Sequence, residues 1–199
     1  MYESRGGATK EGVVKAVMRK EEEEWRTRMK EKKTLKLYRA VKQELRFEEE
    51  LWTRETGRRI WTWMRANVCP IGEVRRRVWK KEATCIVCRE EEETRTHVLI
   101  RCRGYEGLRM EMEEGMETEF ERKGWNDEWR AWRMMREERR VEMMLGGRGG
   151  WEREKALEVW KRVWSLLGKL WDLRRSHDLS RPPQRLLSLG GANGNAEAT

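Results

Sequence analysis

Cys85, Cys88, His97 and Cys102 stand at the spacing Cys-x2-Cys-x8-His-x4-Cys, eighteen positions within a chain of 199 residues. Thiolate sulfur and imidazole nitrogen are the donors that a borderline-soft, tetrahedral d10 cation prefers. A Cys-x2-Cys turn aims two sulfurs at one ion, and a nearby His and Cys close the site. The pattern predicts one zinc ion. Four protein ligands leave no position for a water, so the ion is expected to be structural rather than catalytic. Two other readings compete, buried apolar cysteines or two disulfides. The strongly charged surroundings disfavour the first. Met1 to Lys10 lacks a signal-peptide core, so an oxidising compartment is not indicated either. Cys69, just before Pro70, is expected to be a spare thiol.

The x4 gap between His97 and Cys102 constrains the local backbone. Five steps of a regular helix turn a side chain by roughly 140° and carry it about 7.5 Å along the axis, too far for two ligands of one ion. A short helical turn is therefore expected to begin at Thr94 or Thr96. It carries His97, Val98, Leu99 and Ile100, unwinds near Cys102 and stops at Gly104. Val98, Leu99 and Ile100 would cap the metal as a small apolar core. Three thiolates around a dication leave a formal charge of about −1, which Arg89, Arg95, Arg101 and Arg103 are expected to offset. The run Glu90 to Glu93 is expected to be a solvated loop tip pointing away from the ion.

The elements that must hold this site come from a highly charged composition. Charged residues make up 41% of the chain, with 45 Lys and Arg against 36 Asp and Glu, a formal net charge of +9. The mean hydropathy is −1.01 and the pI near 9.6. The balance favours polyanionic partners, diluted by the interleaved acids. Core material rests on twelve Trp and eleven Met, with two Phe and three Tyr, which predicts a large-ringed, soft core. The richness in Lys, Arg, Glu, Gly, Met and Trp matches purine-rich and G-rich codons and reads as a nucleotide-level skew. No apolar run approaches the roughly 20 residues that span a bilayer, and an intracellular protein, nuclear or cytoplasmic, is expected.

The expected fold is mainly α, charged amphipathic helices around a small Cys3His knuckle. Residues 1–10 form a flexible N-terminus, 11–81 a helical region ending in a basic cluster, 82–104 the knuckle, 105–177 a second helical region and 178–199 a disordered tail. Val14, Met18, Trp25 and Met29 predict a charged helix from Glu11 to about Lys33. A second is expected from a Thr34 cap through Leu37, Tyr38, Val41 and Leu45 to Trp52, and a third from Thr56 through Ile60, Trp63 and Met64. After Pro70, Ile71 to Lys81 reads as a short basic helix with Arg75, Arg76, Arg77, Lys80 and Lys81. Beyond Gly104 the helical pattern is weak until Trp125, Trp129 and Trp132 form a stripe. The clearest helix runs from Trp151 to about His177, with Leu157, Trp160, Trp164, Leu167 and Trp171 on one face. Core burial is the default reading of both Trp stripes, with docking of a protein partner or stacking on nucleic acid as the alternative.

No catalytic constellation accompanies the metal motif. The three Asp, Asp127, Asp172 and Asp178, are far apart in sequence, whereas two-metal phosphoryl transfer needs clustered carboxylates. A phosphate-binding Gly-rich loop, a Gly-x-Ser-x-Gly elbow and a His-Glu-x-x-His helix are also missing. His177 is expected to sit at a helix end, favoured by the dipole. The expectation is a non-enzyme without a small-molecule substrate.

Residues from about Glu55 to Tyr105 resemble the C-terminal segment of reverse transcriptases encoded by non-LTR retrotransposons. The resemblance rests on Arg54-Glu55-Thr56-Gly57 and on the basic stretch at Arg75, Arg76 and Arg77. It continues through Cys85-x2-Cys88, Glu92-Glu93-Thr94, His97-Val-Leu-Ile-Arg-Cys102 and Gly104-Tyr105-Glu106. It covers about a quarter of the chain, and only the ligand spacing is specific. It implies a zinc knuckle downstream of a polymerase domain, gripping template RNA or target DNA. The Tyr/Phe-x-Asp-Asp polymerase centre and an endonuclease carboxylate cluster are absent from these residues, so a remnant or terminal piece is expected. The leading expectation is a zinc-binding module that contacts nucleic acid, RNA or DNA, through Arg75, Arg76, Arg77, Lys80, Lys81, Arg89, Arg95, Arg101 and Arg103. The alternatives are a helical interaction or structural protein with a zinc-stapled loop, and a decayed element-derived reading frame.

Overall fold

A computed structural model of the chain describes residues 9–42, 44, 45, 48 and 54–177. The described residues are mainly helical, and β pairing among them is limited to one antiparallel bridge between Thr84 and Glu92. The helices are α1 (Lys10–Glu31), α2 (Lys36–Val41), α3 (Thr56–Arg65), α4 (Gly72–Trp79), α5 (Glu106–Arg122), α6 (Asn126–Met134), α7 (Glu137–Met144) and α8 (Arg153–His177). No helix among them is long and apolar enough to cross a membrane. The expectations for residues 1–8 and for the tail after His177 lie outside the described residues.

The core is organised on α8, whose Val159, Trp160, Val163, Trp164, Leu167, Leu170 and Trp171 are buried. Helix α3 lies against it from the other side of the knuckle in sequence. Gly57 makes this approach possible: a Cβ there would sit 1.8 Å from the Trp164 carbonyl oxygen. Trp61 then packs edge-on to Trp164, with ring centroids 5.7 Å apart, and tilted against Trp160 at 5.9 Å. The indole N–H groups of Trp61 and Trp160 donate to the carbonyls of Met144 and Met143 at the end of α7. Buried indoles keep a polar handle that needs a partner, and here it fixes α7 to both partners of the α3–α8 contact. The Trp stripes thus face the chain's own core. Trp129 and Trp132 are likewise buried, while Trp125 is half-buried and meets Phe120 edge-on.

Two expected helices differ from those observed. The segment after Thr34 forms a 3-10 turn at Lys33–Leu35 and then only the six residues of α2, with Lys42 already extended. Glu48 explains the early stop, because its carboxylate reaches Lys42 at 3.1 Å and the buried Arg65 at 3.2 Å. That spacing is not helical, and it draws the chain back onto α3. The rest of the expected second helix falls largely outside the described residues. The weakly expected region after Gly104 is instead seventeen residues of α5, burying Met112, Met116 and Phe120 at i, i+4 and i+8.

Candidate metal centre

The Cys85 end of the site is a turn pinned by backbone hydrogen bonds. The Cys85 N–H donates to the Glu91 carbonyl at 2.8 Å, the Arg89 N–H to the Cys85 carbonyl at 2.9 Å, and the Glu93 N–H to the Ala83 carbonyl at 2.8 Å. Arg89 closes the turn in the left-handed region at φ 60°. Both sulfurs therefore leave one side of a tight loop.

The His97 end solves the x4 problem with a wider coil. Thr94 caps the turn, its hydroxyl oxygen accepting from the His97 N–H at 3.0 Å. His97–Arg101 then form a π-helical turn, and the Cys102 N–H donates to the His97 carbonyl at 2.7 Å, an i to i+5 bond. Such single π turns recur at functional sites. The coil brings positions five apart to the same side, which a regular α-helix cannot do. The turn unwinds at Cys102 as expected, at φ −58° and ψ 117°, but Gly104 does not stop the helical path. Gly104 lies inside a 3-10 turn, Arg103–Tyr105, that leads directly into α5. Its hydrogen is needed because a Cβ would fall 2.5 Å from a Val87 methyl.

These two halves place the four predicted ligands together. One donor atom from each of Cys85, Cys88, His97 and Cys102 lies within 4.8 Å of all the others. Cys85 Sγ and Cys102 Sγ are 3.8 Å apart, and Cys88 Sγ is 3.3 Å from His97 Nε2. The group can hold one metal ion. Val98 and Leu99 are buried against it and Ile100 partly so, as expected. The paired sulfurs lie within hydrogen-bond reach of each other, and either atom can be the donor. That bond holds Cys85 well below the ordinary thiol range, at about 4, and pushes proton loss from Cys102 upward.

The acidic run corrects the expectation of a solvated tip. Glu91 turns back so that Oε2 lies 3.2 Å from His97 Nδ1, leaving Nε2 aimed at the sulfurs. A carboxylate behind a ligating imidazole fixes its tautomer and raises its basicity. Glu92 pairs with Arg76 at 2.6 Å. Glu93 is fully buried, and takes hydrogen bonds from the Gly72 N–H at 2.7 Å and from Arg174 at both oxygens, 3.0 Å each. Glu90 keeps the expected position, exposed opposite Arg103 at 3.6 Å, and Glu91 stays as solvent-exposed as expected although it turns toward His97. Sequence gave no direct signal for Glu93, since its partner lies in α8.

The predicted cations divide by where they point. Arg75 reaches inward to Glu93 and to the Thr84 carbonyl. Arg95 donates to the Met64 carbonyl, and burial lowers its pKa. Arg101 is exposed but held by Glu137 at 2.6 Å. Arg76, Arg77, Lys80, Lys81, Arg89 and Arg103 are exposed on and beside the knuckle, with Arg76 paired to Glu92 at 2.6 Å, Arg103 facing Glu90 at 3.6 Å and Arg77 donating to the Asn67 carbonyl at 2.5 Å. The sequence reading missed Arg109 of α5. Burial lowers its pKa, while the neighbouring Cys102 sulfur pulls the other way. Cys69 is buried apart from the cluster, and burial pushes its thiol up to about 12. His177 ends α8, exposed.

Fold and site together define a mainly helical protein carrying a Cys3His cluster able to hold a metal ion. Comparison with protein-family models, with characterised proteins and with solved structures returns no match.

Proposed function

We propose that the chain is a non-catalytic module in which Cys85, Cys88, His97 and Cys102 hold one structural zinc ion, and in which the exposed cations around that centre contact nucleic-acid phosphates. The observation that carries the zinc assignment is the 3.8 Å separation of the Cys85 and Cys102 sulfurs. Zn–S bonds of about 2.3 Å at tetrahedral angles give sulfur–sulfur edges of about 3.8 Å, whereas a disulfide needs sulfurs about 2.05 Å apart. The donor set of three sulfurs and one nitrogen suits zinc and closes its shell, so the ion acts as a staple rather than a Lewis acid for substrate.

Buried connections extend this staple into the helical core. Glu93 sits in sequence between Cys88 and His97, and its carboxylate anchors the end of α8 through Arg174. Zinc binding therefore stabilises more than a loop, because a site absent from the unfolded chain converts metal affinity into folding free energy.

The polyanion reading rests on Arg76, Arg77, Lys80, Lys81, Arg89 and Arg103, exposed beside the metal turn, and on the resemblance of Glu55–Tyr105 to the knuckle region of retrotransposon reverse transcriptases. Arg75 and Arg95, turned inward, leave the contact set. Four or five phosphate contacts give a log–log salt slope of about −3.5 to −4.5 on duplex DNA, near −0.9 per contact, and a shallower one on single strands. Fluorescence anisotropy with labelled RNA and DNA across a salt series tests this. Absence of binding at low salt, or binding indifferent to salt, removes the nucleic-acid half of the proposal and leaves a zinc-stapled helical protein.

A further inference from the structure

The N-terminal half of helix α1 has an apolar face that nothing else in the described chain covers. The helix runs for 22 residues with none buried, a length of about 33 Å, and no other helix packs along it. Its contact with the body of the chain is at its C-terminal end, where Arg39 of α2 donates to the Lys30 carbonyl. Val13, Val14, Val17 and Met18 lie on one face at 49%, 49%, 55% and 63% exposure. Trp25 and Met29 continue that face, half-buried. Intrinsic terms do not account for such a helix. The Thr9 cap and the solvent-exposed i,i+4 ion pairs Glu22–Arg26 and Glu24–Arg28 are each weak. Helices of globular proteins owe most of their stability to packing of an apolar face.

The charges on α1 say what packs there. Lys10 to Lys20 carry four cations and one acid, whereas Glu21 to Glu31 carry five acids and three cations. Two of those acids are already paired within the helix. Lys10, Lys15, Arg19 and Lys20 have no ion-pair partner among the described residues, and neither do Glu21 and Glu23. A polyanion laid along this face would meet Glu21 and Glu22, which flank it. A second α1 laid antiparallel meets basic against acidic twice over, as a two-fold axis requires. A parallel copy would set like charge on like.

We propose that the chain self-associates through α1, two copies pairing antiparallel with the two-fold axis near Lys20 and Glu21, where the charge changes sign. The apolar stripes Val14–Met18 and Trp25–Met29 then close on each other, and the excess charge of each half is met across the pair.

Sedimentation equilibrium of the whole chain from micromolar to 100 µM tests this with two charge-reversed variants. In one, Lys15, Arg19 and Lys20 become Glu; in the other, Glu21, Glu22, Glu23 and Glu24 become Lys. The wild-type chain is expected to reach twice its 24.1 kDa mass. Each variant alone should stay monomeric at concentrations where wild type is dimeric, and the mixture should recover the dimer. Equal metal content and far-UV circular dichroism in all three show that folding is intact. End-to-end energy transfer between copies labelled at residue 10 or residue 31 distinguishes antiparallel from parallel pairing. A wild-type monomer throughout, a dimer unaffected by charge reversal, or transfer between like ends overturns the proposal. Nucleic-acid binding is read separately and does not enter this outcome.

Discussion

Arg174 lays its guanidinium across both oxygens of Glu93, at 3.0 Å each, from 81 residues further along the chain. The carboxylate is fully buried and Arg174 is 4% exposed. Its Nη2 also donates to the Pro70 carbonyl, and the Gly72 N–H fills another lone pair of Glu93. Burial of the guanidinium acts to lower its pKa, but the hydrogen bonds to Glu93 outweigh it and the net direction is up. The metal turn, the start of α4 and the end of α8 thus converge on one ion pair. Removing Glu93 strands the buried Arg174 charge, which costs about 3–5 kcal/mol, and removing Arg174 leaves Glu93 paired with Arg75 at 3.3 Å and with the Gly72 N–H. Glu93→Gln is expected to lose stability of that order in urea unfolding, Arg174→Met to lose less, and the double variant to lose less than their sum. Single losses below about 0.5 kcal/mol would show that the pair does not join the knuckle to the core.

Glu91 tests the other role found in the acidic run. Glu91→Ala leaves the four ligands in place but removes the acceptor behind His97 Nδ1. Loss of such an outer partner typically weakens metal binding about 10–100-fold. Chelator competition should show this drop with helical content unchanged, whereas Glu90→Ala, whose side chain faces Arg103, should leave affinity within about twofold.

Individual residues show how unevenly this arrangement could be read from sequence. Cys85 and His97 were legible because ligand type and spacing are local and chemically specific. Trp160 and Trp164 were legible because their i, i+4 spacing repeats along α8. Glu93 was not, since an acid in a run of acids reads as solvated and its partner Arg174 is remote in sequence. The π turn between His97 and Cys102 was foreseen only as a departure from regular helix. Met112, Met116 and Phe120 did carry the stripe of α5, but the surrounding glutamates masked it.

Cys69 predicts a stability change at high pH. Its folded pKa, raised by burial to about 12 from an ordinary 9.0, exceeds that of the unfolded thiol. The folded state therefore holds the proton that the unfolded state loses between those values. Stability is full below about pH 9 and falls above it, by up to about 1.4 kcal/mol per pH unit. Urea unfolding from pH 8 to 11 should show this decline, reduced in Cys69→Ala. Tyr105, also raised by burial, adds to the slope above about pH 10 in both proteins. An unchanged slope in Cys69→Ala would contradict the assignment.

Gly57 sets the approach of α3 to α8. A Cβ there would overlap the Trp164 carbonyl oxygen, a backbone atom that no rotamer change can move. Gly57→Ala is expected to cost about 1–3 kcal/mol or more by overpacking, against the gain of about 1 kcal/mol that the same change gives in an unhindered helix. Thermal unfolding decides the sign, and a stabilised Gly57→Ala would mean the two helices lie further apart.

The central claim is that the four side chains grip one ion, and metal stoichiometry of the purified chain beside Cys88→Ser tests it most directly. The account predicts one zinc per wild-type chain, little in the variant, and a sharp unfolding transition that depends on the metal. A wild-type chain that carries no zinc and unfolds broadly whether or not zinc is added would contradict it.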